Sequence, residues 1–522
     1  MTAGLSADKK ALYLTPGPEN SGTVDVLFDD HRVWSVKAPE PDERGRVRLA
    51  WPRALTPYLR GEARITVRDS ADQHTLATGH VRIGRSSAPI EIKDAQGRFL
   101  AMNKWQRLGP SFEGNDTGVQ QRLLASGKRL VDDLQDLGYP VYIVGGTLLG
   151  AMRSGSMLPH DDDMDLAWMC DETDPLAISL ASMRMERELV ARGYTAIRLG
   201  FAHLQITFFT ERGETDHYVD VFTGFYHAGL YCQPFALRGD VPKEELVPTS
   251  TVTIDGVEFP APARPASWLE FAYGPNWPVP DPSFVFVTER GTKRRFENWF
   301  GVFNRGRVFW EKRYEMLHER VDAADGSADV DRMLHLLPAG ARVLDLGSGD
   351  GRLSERIAAA GHPVIAADYS YEALRLARNA SGAGAVDYRY LNLNDRHALL
   401  GLGFELVDAG GAWWVSLQQV LQSVPKQGRA NVFLFLRLIL RDEAFAFATV
   451  DTNLSPRYER GKPDTWHLPV SWLERESRRF GLEVEVVGTG RRATANGERE
   501  TATVILRRGA GEGARGPEDE EE

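Results

Sequence analysis

The chain has 522 residues, of which 42% are hydrophobic and 26% are charged, a composition typical of a globular protein with room for three or four domains of ~150 residues each. Its formal net charge of −11 argues against a general nucleic-acid partner, although a local basic groove is compatible with that charge. The two cysteines, Cys170 and Cys232, have no CxxC spacing, which argues against a disulfide framework or a cysteine zinc site and indicates a reducing compartment.

No segment has the ~18 uninterrupted apolar residues that a membrane-spanning helix needs. The nearest run, NVFLFLRLIL at 431–440, contains Arg437 and is followed by acidic residues, so it is predicted to be a buried element. The first residues, MTAGLSADKKALYL, contain no apolar segment of the signal-peptide type. We therefore expect a cytoplasmic protein without a transmembrane segment, peripheral at the membrane if its substrate is linked to a lipid.

Residues 1–100 are predicted to form a β-sandwich accessory domain. Short strand-like runs such as TVDVLF, RVWSVK and EARITVR alternate with turns rich in Pro, Gly and Asp, and no helical period is visible. Trp34 and Trp51 offer either a sugar-stacking platform or core packing, and core packing is favoured in a small domain. No chemistry is assigned to this segment.

Residues 101–290 are predicted to form an α/β domain. A helical pattern from Gly118 to Gly138 precedes a short apolar strand that begins at Val141. The strand breaks at Gly145-Gly146-Thr147, where small residues let backbone N–H groups approach a phosphate. This turn is therefore a candidate phosphate-binding loop.

Carboxylates follow the turn in the sequence PHDDDMDL, 159–166. If the last residues are a strand, Asp161, Asp163 and Asp165 share one face, and Met164 and Leu166 lie on the other. Carboxylates on adjacent strand ends can hold Mg²⁺ against a reacting phosphate. An Asp-rich turn or a solvated run is the alternative, and the interleaved apolar residues argue against it.

A third carboxylate is predicted on a neighbouring strand. HYVDVF, 217–222, places Asp220 alone between apolar residues, where a carboxylate is costly to bury unless it is paired or bound to a metal. The alternative is a half-exposed strand on which Asp220 faces water. Asp163, Asp165 and Asp220 are thus the candidate catalytic and metal-binding set.

These residues resemble the LicD/fukutin-related family of the nucleotidyltransferase superfamily. The resemblance covers about residues 115–282 and rests on GTLLGAMR, PHDDDMDL, HYVDVF and LEFAYGPNWPVP. His160 stands where the family usually has Trp, and the loop MRSGSML also departs from the family pattern. Both departures bear on substrate identity and not on metal binding.

The resemblance implies transfer of a phospho-alcohol, such as phosphocholine or a polyol phosphate, from a CDP-linked donor to a glycan or lipid-linked glycan. It implies that Asp163 and Asp165 bind Mg²⁺ or Mn²⁺, and that Asp220 binds metal or takes the acceptor proton. Gly145, Gly146 and Thr147 would hold the donor phosphates. Arg153 would neutralise charge on them, or else serve as a surface ion-pair partner.

The remaining chain is predicted to contain a linker with helices at 291–340, a third domain at 341–508 and a disordered acidic tail at 509–522. RGRVFWEKRYEMLHERV, 305–321, is predicted to be a helix in the linker. From Arg342 strands and helices alternate, which indicates a largely parallel sheet. FELVDAG, 404–410, is predicted to be one of its later strands.

The third domain begins with a glycine-rich turn between a strand and a helix, Asp345-x-Gly347-x-Gly349-x-Gly351. Such glycines permit a tight turn and close approach to a ligand, and Asp368 ends the next strand, where an acid can accept hydrogen bonds from ribose hydroxyls.

The arrangement resembles a class I S-adenosylmethionine-dependent methyltransferase over residues 300–508. The resemblance implies that Asp345, Gly347, Gly349 and Gly351 surround the methionine part and the turn, and that Asp368 binds the ribose. Asn392 or Asn394 would lie near the adenine. His467 is a candidate base, with a structural role as the alternative.

Together the patterns predict a multidomain enzyme with an N-terminal β-sandwich, an α/β nucleotidyltransferase-like domain and a C-terminal Rossmann-like methyltransferase domain. The leading hypothesis is a bifunctional transferase that adds a phospho-alcohol to a glycan and methylates the same glycan or substituent. One alternative is a sugar-phosphate nucleotidyltransferase carrying a methyltransferase domain. Another is a non-catalytic glycan-binding scaffold.

Overall fold

The computed structural model describes residues 4–15, 22–70, 73–94, 97, 99–102, 108–110, 118–158, 163–279, 281, 284, 287–317, 327–381, 386–441, 443–454, 461–494 and 497–509. His160, Asp161, Asp162 and the predicted tail from residue 510 lie outside these ranges. The chain forms two compact units, the first within Met1–Phe209 and Asp216–Gly301 and the second within Thr210–Thr215 and Val302–Glu522.

The N-terminal part of the first unit is built of antiparallel strands. They are β1 (Gly4–Ala7), β2 (Ala11–Thr15), β3 (Thr23–Phe28), β4 (His31–Lys37), β5 (Val47–Ala50), β6 (Gly61–Asp69), β7 (Thr75–Ile83), β8 (Leu100–Met102) and β9 (Leu108–Pro110). One sheet has the order β1-β2-β5, a second has the order β4-β3-β6-β7, and β8 pairs with β9.

Both larger sheets contribute side chains to one hydrophobic core, which also contains Leu100 and Met102 and so extends past the predicted boundary at residue 100. Trp34 and Trp51 are buried in this core with their ring centroids 5.8 Å apart, as core packing predicted. The assignment of the segment to a β-sandwich stays a prediction.

The rest of the first unit is an α/β layer structure. Its elements are α1 (Val119–Asp136), β10 (Val141–Ile143), α2 (Gly145–Ser154), β11 (Asp163–Met169), α3 (Pro175–Ala191), β12 (Thr195–Gly200), β13 (His203–Phe209), β14 (Thr215–His227), β15 (Leu230–Gln233), β16 (Leu237–Gly239), β17 (Ser250–Ile254), β18 (Val257–Ala261), α4 (Pro265–Tyr273) and α5 (Arg290–Phe300).

Its main sheet has the order β10-β11-β14-β13-β12, and β15 and β16 extend the far end of β14. Strand β11 runs parallel to β14 and antiparallel to β10. Helix α1 covers the sheet through Leu123, Leu130 and Leu134, which are fully buried. The helix that the apolar spacing predicts over 118–138 is thus confirmed, with Gly118 at its N-cap.

The second unit is a doubly wound α/β structure. Its elements are α6 (Arg307–Glu315), α7 (Ser327–Leu336), β19 (Arg342–Leu346), α8 (Arg352–Ala359), β20 (Val364–Asp368), α9 (Tyr371–Ala380), β21 (Val386–Tyr390), α10 (Arg396–Asp408), β22 (Trp413–Gln418), α11 (Lys426–Ile439), β23 (Ala446–Asp451), α12 (Val470–Arg478), β24 (Leu482–Thr494) and β25 (Gly497–Arg508). The sheet order is β21-β20-β19-β22-β23-β25-β24, with β25 antiparallel to both of its neighbours.

One predicted strand is wrong, because FELVDAG, 404–410, contributes its first five residues to α10. Leu399, Leu402 and Leu406 are buried at helical spacing on one face of α10, and this period extends across the supposed strand. The strand in this part of the chain is β22, which begins at Trp413. The seven residues of FELVDAG alone do not show the helical period, because that period begins upstream at Leu399.

Helix α11 confirms that NVFLFLRLIL contains a buried element. Across the described ranges no helix combines the length and the apolar composition that crossing a bilayer requires.

A buried ion pair joins α11 to α12. The guanidinium of Arg429 donates to both carboxylate oxygens of Glu476 at 2.7 and 2.8 Å and to the Val424 carbonyl oxygen at 2.8 Å. The Arg429 side chain is only 1% exposed. Removing one partner of such a pair strands a buried charge, which costs about 3–5 kcal/mol.

We therefore expect Glu476→Gln to lower the unfolding free energy of the second unit by about 3 kcal/mol. Urea unfolding followed by hydrogen exchange of α11 and α12 peptides measures the change. Glu474→Gln, on the same helix, is the control and should change stability by less than about 0.5 kcal/mol. Equal losses in the two variants would contradict the assigned role of the pair.

Candidate active sites

The first site lies where β11 and β14 run side by side. Their parallel register places Asp165 opposite Asp220. Oxygen atoms of Asp163, Asp165 and Asp220 lie within 4.8 Å of one another. Asp165 and Asp220 are 5% and 6% exposed, and Asp163 is half-buried.

Three carboxylates gathered in a buried site repel one another and lose their hydration, so a divalent cation stabilises them. Carboxylate oxygens are the ligands that Mg²⁺ and Mn²⁺ prefer. Asp163, Asp165 and Asp220 therefore fit the Mg²⁺ or Mn²⁺ that the sequence resemblance implies.

Asp165 is fixed by the glycine turn that starts α2. The Gly146 N–H donates to Oδ2 of Asp165 at 2.9 Å, and the Asp165 N–H donates to Oγ1 of Thr147 at 2.9 Å. Gly145 has φ +59°, and a Cβ at that position would overlap the Asp165 carboxylate. The turn thus positions a candidate metal ligand, and direct contact of Gly145, Gly146 and Thr147 with donor phosphates stays a prediction.

Asp220 has polar neighbours on β13 that sequence reasoning missed. Nε2 of Gln205 donates to Oδ1 of Asp220 at 3.3 Å, and Nε2 of His203 lies 3.2 Å from the same oxygen. The His203 ring packs against Phe222 and Phe235. His203 and Gln205 are two residues apart and so share one face of β13. This spacing is the sequence pattern from which the two neighbours could have been predicted.

Arg153 lies in the last turn of α2 and does not make the predicted surface ion pair among the described residues. Its guanidinium donates to the carbonyl oxygens of Trp277 and Val279, at 2.8 and 3.0 Å. Burial lowers the pKa of this guanidinium. Arg153 therefore fastens the segment after α4, and its contact with donor phosphates stays a prediction.

The second site is a cavity of about 250 Å³ at the carboxyl ends of the central strands of the second unit. Gly347, Asp368 and Asn392, which the sequence singled out, line it together with Asn394. Residues that the sequence did not single out also line it: Trp310, Arg313 and Tyr314 of α6, and Gln418 and Gln419 at the end of β22.

Side chains of other residues lie against the glycine-rich turn, which therefore has no room for a Cβ. Gly347, Gly349 and Gly351 have φ of +71°, +56° and +78°, where L-residues are strained. A Cβ on Gly347 would lie 2.5 Å from a Val420 methyl group, and one on Gly349 would lie 2.5 Å from the Tyr314 hydroxyl. Side chains at these positions would fill the cavity or displace its cover.

Asp345 lies beneath the turn and is not among the residues that line the cavity. Its carboxylate is 1% exposed and accepts a hydrogen bond of 2.6 Å from the Ser354 hydroxyl of α8. Asp345 therefore ties the first strand to the helix after the turn. Its predicted contact with the methionine part of the cofactor stays a prediction.

Asp368 and Asn392 use most of their polar atoms within the protein. Asp368 accepts from the N–H groups of Gly349 and Ser370, at 3.0 and 2.9 Å. Asn392 donates to the Phe303 carbonyl oxygen at 2.6 Å and accepts from the Asn394 N–H at 3.0 Å. These contacts hold two of the residues that line the cavity in place.

Glu311 holds α6 against the start of α9. Its carboxylate accepts from the Ser370 hydroxyl at 2.8 Å and from the N–H groups of Tyr371 and Glu372 at 3.1 Å each. A carboxylate is favoured there because it satisfies unpaired N–H groups at the positive end of the helix. This contact holds the helix whose Trp310 and Tyr314 line the cavity.

The buried carboxyls of Asp345 and Asp368 make the stability of the second unit depend on pH. Burial raises the pKa of each from 3.8 to about 6. Below pH ~3.8 both the folded and unfolded forms are protonated, whereas above pH ~6 the folded form must carry a buried charge. Each carboxyl therefore destabilises the folded unit by up to about 3 kcal/mol as pH rises from 4 to 7.

The asparagine side chain would not titrate, so we expect the unfolding free energy of Asp345→Asn to rise relative to that of the natural chain as pH increases. The difference between the two proteins should be up to about 3 kcal/mol larger at pH 7 than at pH 4. Urea unfolding at unit steps of pH, with hydrogen exchange of β19 and α8 peptides, measures the difference. A difference that does not change with pH would show that Asp345 does not titrate as its burial requires.

Comparison with known proteins supports a chain that joins a LicD-type nucleotidyltransferase domain to a segment related to methyltransferases. Residues 138–264 match the family LicD/FKTN/FKRP, nucleotidyltransferase domain, and this span contains the glycine turn and all three aspartates. The first unit therefore contains a LicD-family domain.

A ubiquinone biosynthesis O-methyltransferase of Xanthomonas axonopodis pv. citri (strain 306) is 38% identical to this chain over 92 residues. The match covers 17% of this chain and only 35% of that enzyme. The chain thus carries a segment homologous to a methyltransferase, fused to the LicD domain.

Among solved structures, a SAM-dependent methyltransferase of Methanosarcina mazei is 14% identical with a TM-score of 0.27, over 34% of this chain and 98% of that one. Another, of Anabaena variabilis, is also 14% identical with a TM-score of 0.32, over 39% of this chain and 93% of that one. At this level of similarity neither structure is evidence for the activity of this chain.

Proposed function

We propose that the chain is a bifunctional transferase. Its LicD domain transfers a phospho-alcohol, of the phosphocholine or polyol-phosphate type, from a CDP-linked donor to a glycan or lipid-linked glycan on the cytoplasmic side. The observation that carries the proposal is the convergence of Asp163, Asp165 and Asp220 within 4.8 Å beside a glycine turn. Phosphoryl-type transfer depends mainly on positioning and charge neutralisation, which this arrangement can supply.

In this proposal the three aspartates hold Mg²⁺ or Mn²⁺, which when bound neutralises charge on the reacting phosphate. Gly146 and Thr147 serve the reaction by fixing Asp165, and Gly145 leaves room for its carboxylate. Gln205 orients Asp220 through their hydrogen bond.

The second unit is proposed to bind S-adenosylmethionine in its 250 Å³ cavity and to methylate the same glycan or its new substituent. Gly347, Asp368, Asn392 and Asn394 line this cavity together with Trp310 and Tyr314 of α6. Methyl transfer from such a cofactor can proceed mainly through positioning, so the site needs no conspicuous base.

Product analysis tests the first reaction. The full chain is incubated with CDP-choline or CDP-ribitol, a glycan acceptor and Mg²⁺, and in parallel with CTP and a sugar phosphate. We expect CMP release from the CDP-linked donor, which EDTA abolishes. Pyrophosphate release from CTP without CMP release would overturn the proposal in favour of a nucleotidyltransferase.

Calorimetry tests the second reaction. Titration of the full chain with S-adenosylhomocysteine should show one saturable site, and the ligand should raise the unfolding temperature by mass action. A chain that binds neither S-adenosylhomocysteine nor S-adenosylmethionine would overturn the methyltransferase assignment while leaving the LicD assignment intact.

A further inference from the structure

Helix α6 forms part of the wall of the proposed cofactor cavity, yet it is weakly packed against the rest of the second unit. Trp310 and Tyr314, one turn apart on this helix, line the cavity. No residue of α6 is fully buried, whereas the neighbouring helix α9 buries Leu374 and Leu376. A helix whose large apolar side chains face a cavity gains little stability from burial. Other contacts must therefore hold α6 in place.

The carboxylate of Glu311 is a main point of attachment for α6. It accepts three hydrogen bonds from the start of α9, of 2.8, 3.1 and 3.1 Å. The Glu311 side chain is 20% exposed, so these charge-assisted bonds are partly shielded from water. Arg313 of the same helix donates to Asp464 at 3.3 Å, but its side chain is 51% exposed, and a surface pair of this kind adds little stability.

An attachment of this kind can be broken and remade at modest cost. If α6 moves away, water replaces the hydrogen bonds that Glu311 accepts, and the net loss is much smaller than the strength of the bonds themselves. The amino end of α9 also keeps a cap of its own, because the Ser370 hydroxyl accepts from the Ala373 N–H at 3.2 Å. Release of Glu311 therefore does not unfold the helix to which it is attached.

The size of the cavity indicates that one of its walls must move. Its volume is about 250 Å³, which is below the ~300–1,000 Å³ typical of pockets for small-molecule ligands. The Tyr314 hydroxyl lies close to the glycine-rich turn, 2.5 Å from where a Cβ on Gly349 would stand. The other walls include the ends of β20 and β22, whose strands lie in the middle of the sheet. Helix α6, with no fully buried residue, is the wall that moves at the lowest cost.

We propose that α6 is a movable wall of the cofactor cavity and that Glu311 is the latch that holds it to α9. The helix moves away to admit S-adenosylmethionine or to release the product, and it returns when Trp310 and Tyr314 can pack against the ligand. The ligand thus supplies the apolar contact that α6 lacks in the free protein. The inference rests on the proposed methyltransferase function and adds a conformational step to it.

Hydrogen exchange of the full chain, with and without S-adenosylhomocysteine, tests the movement. In the free protein the amides of α6 should exchange at least about tenfold faster than those of α9, and saturating ligand should slow the exchange of α6 at least about tenfold. If the ligand binds and the exchange of α6 does not change, the movable wall is overturned while the methyltransferase assignment stands. If the natural chain does not bind the ligand, the proposed methyltransferase function is overturned and the movable wall with it.

The variant Glu311→Gln tests the latch. The amide keeps the size of the side chain but carries no charge, so it accepts weaker hydrogen bonds. We expect S-adenosylhomocysteine to leave this variant at least about tenfold faster than it leaves the natural chain, and α6 to exchange faster in the free protein. Stopped-flow tryptophan fluorescence measures the release rate, since Trp310 lines the cavity.

Glu315→Gln is the matched control, because Glu315 is exposed at the end of the same helix. Its release rate should stay within about twofold of that of the natural chain. Equal release rates from folded Glu311→Gln and Glu315→Gln would overturn the role of Glu311 as the latch. The exchange measurement on the natural chain decides the movement of α6 even if Glu311→Gln does not fold.

Discussion

Replacement of Asp220 by Asn is expected to lower metal-dependent transfer at least about 100-fold while leaving methylation unchanged. The amide is the same size as the carboxylate but carries no charge, so it weakens the cation site without opening a cavity. Metal-assisted charge stabilisation contributes several kcal/mol to such reactions, and each 1.36 kcal/mol is about tenfold in rate. CMP release from a CDP-linked donor measures transfer, and methyl incorporation from labelled S-adenosylmethionine measures the other activity.

Asp171→Asn is the matched control for this variant. Asp171 follows β11 and pairs with Lys243 at the surface, so its replacement removes a charge from the same domain without touching the site. We expect it to leave transfer within about twofold of the natural rate. Equal losses in both variants would show that general electrostatics, and not the three-aspartate site, supports transfer.

Replacement of Gly347 by Ala is expected to abolish detectable S-adenosylhomocysteine binding, with an affinity loss of at least about 100-fold. The new Cβ would lie 2.5 Å from Val420, which lines the same cavity, so the wall must move for the variant to fold. Overpacking of this kind costs about 1–3 kcal/mol in addition to the strain of φ +71°. Calorimetric titration of the full chain measures the affinity.

Gly340→Ala separates strain from steric overlap. Gly340 has φ +69°, almost the same backbone conformation, but a Cβ there would meet nothing within 4 Å. Both variants should lose comparable stability because alanine is strained at positive φ. Only Gly347→Ala also narrows the cavity. If both variants bound S-adenosylhomocysteine as the natural chain does, the cavity would not be the cofactor site.

The position of the aspartates could be predicted because strand geometry fixes it. Interleaved apolar residues at Met164 and Leu166 identified the buried face of β11, and Val219 and Val221 did the same for β14. Once both strands belong to one sheet, the parallel register brings Asp165 and Asp220 together. The alternation of apolar and acidic residues along each strand is therefore enough to predict which carboxylates share a face.

Contacts between residues that are distant in the sequence could not be predicted in this way. Glu311 caps α9 from a helix 60 residues upstream, and Tyr314 covers Gly349, yet neither residue carries a local pattern that points to its partner. The sequence predicts that Gly146 contacts a donor phosphate, which stays a prediction, and the structure adds that its N–H donates to the Asp165 carboxylate. A glycine turn signals close approach of an anion but does not say whether the anion belongs to the protein.

Binding of Mn²⁺ to the full chain, followed by electron paramagnetic resonance, tests the three-aspartate site most directly. The natural chain should bind one Mn²⁺ ion that Mg²⁺ displaces, and Asp163→Asn, Asp165→Asn and Asp220→Asn should each weaken that binding at least tenfold while Asp171→Asn does not. Mn²⁺ binding that is unchanged in all three site variants would contradict the account.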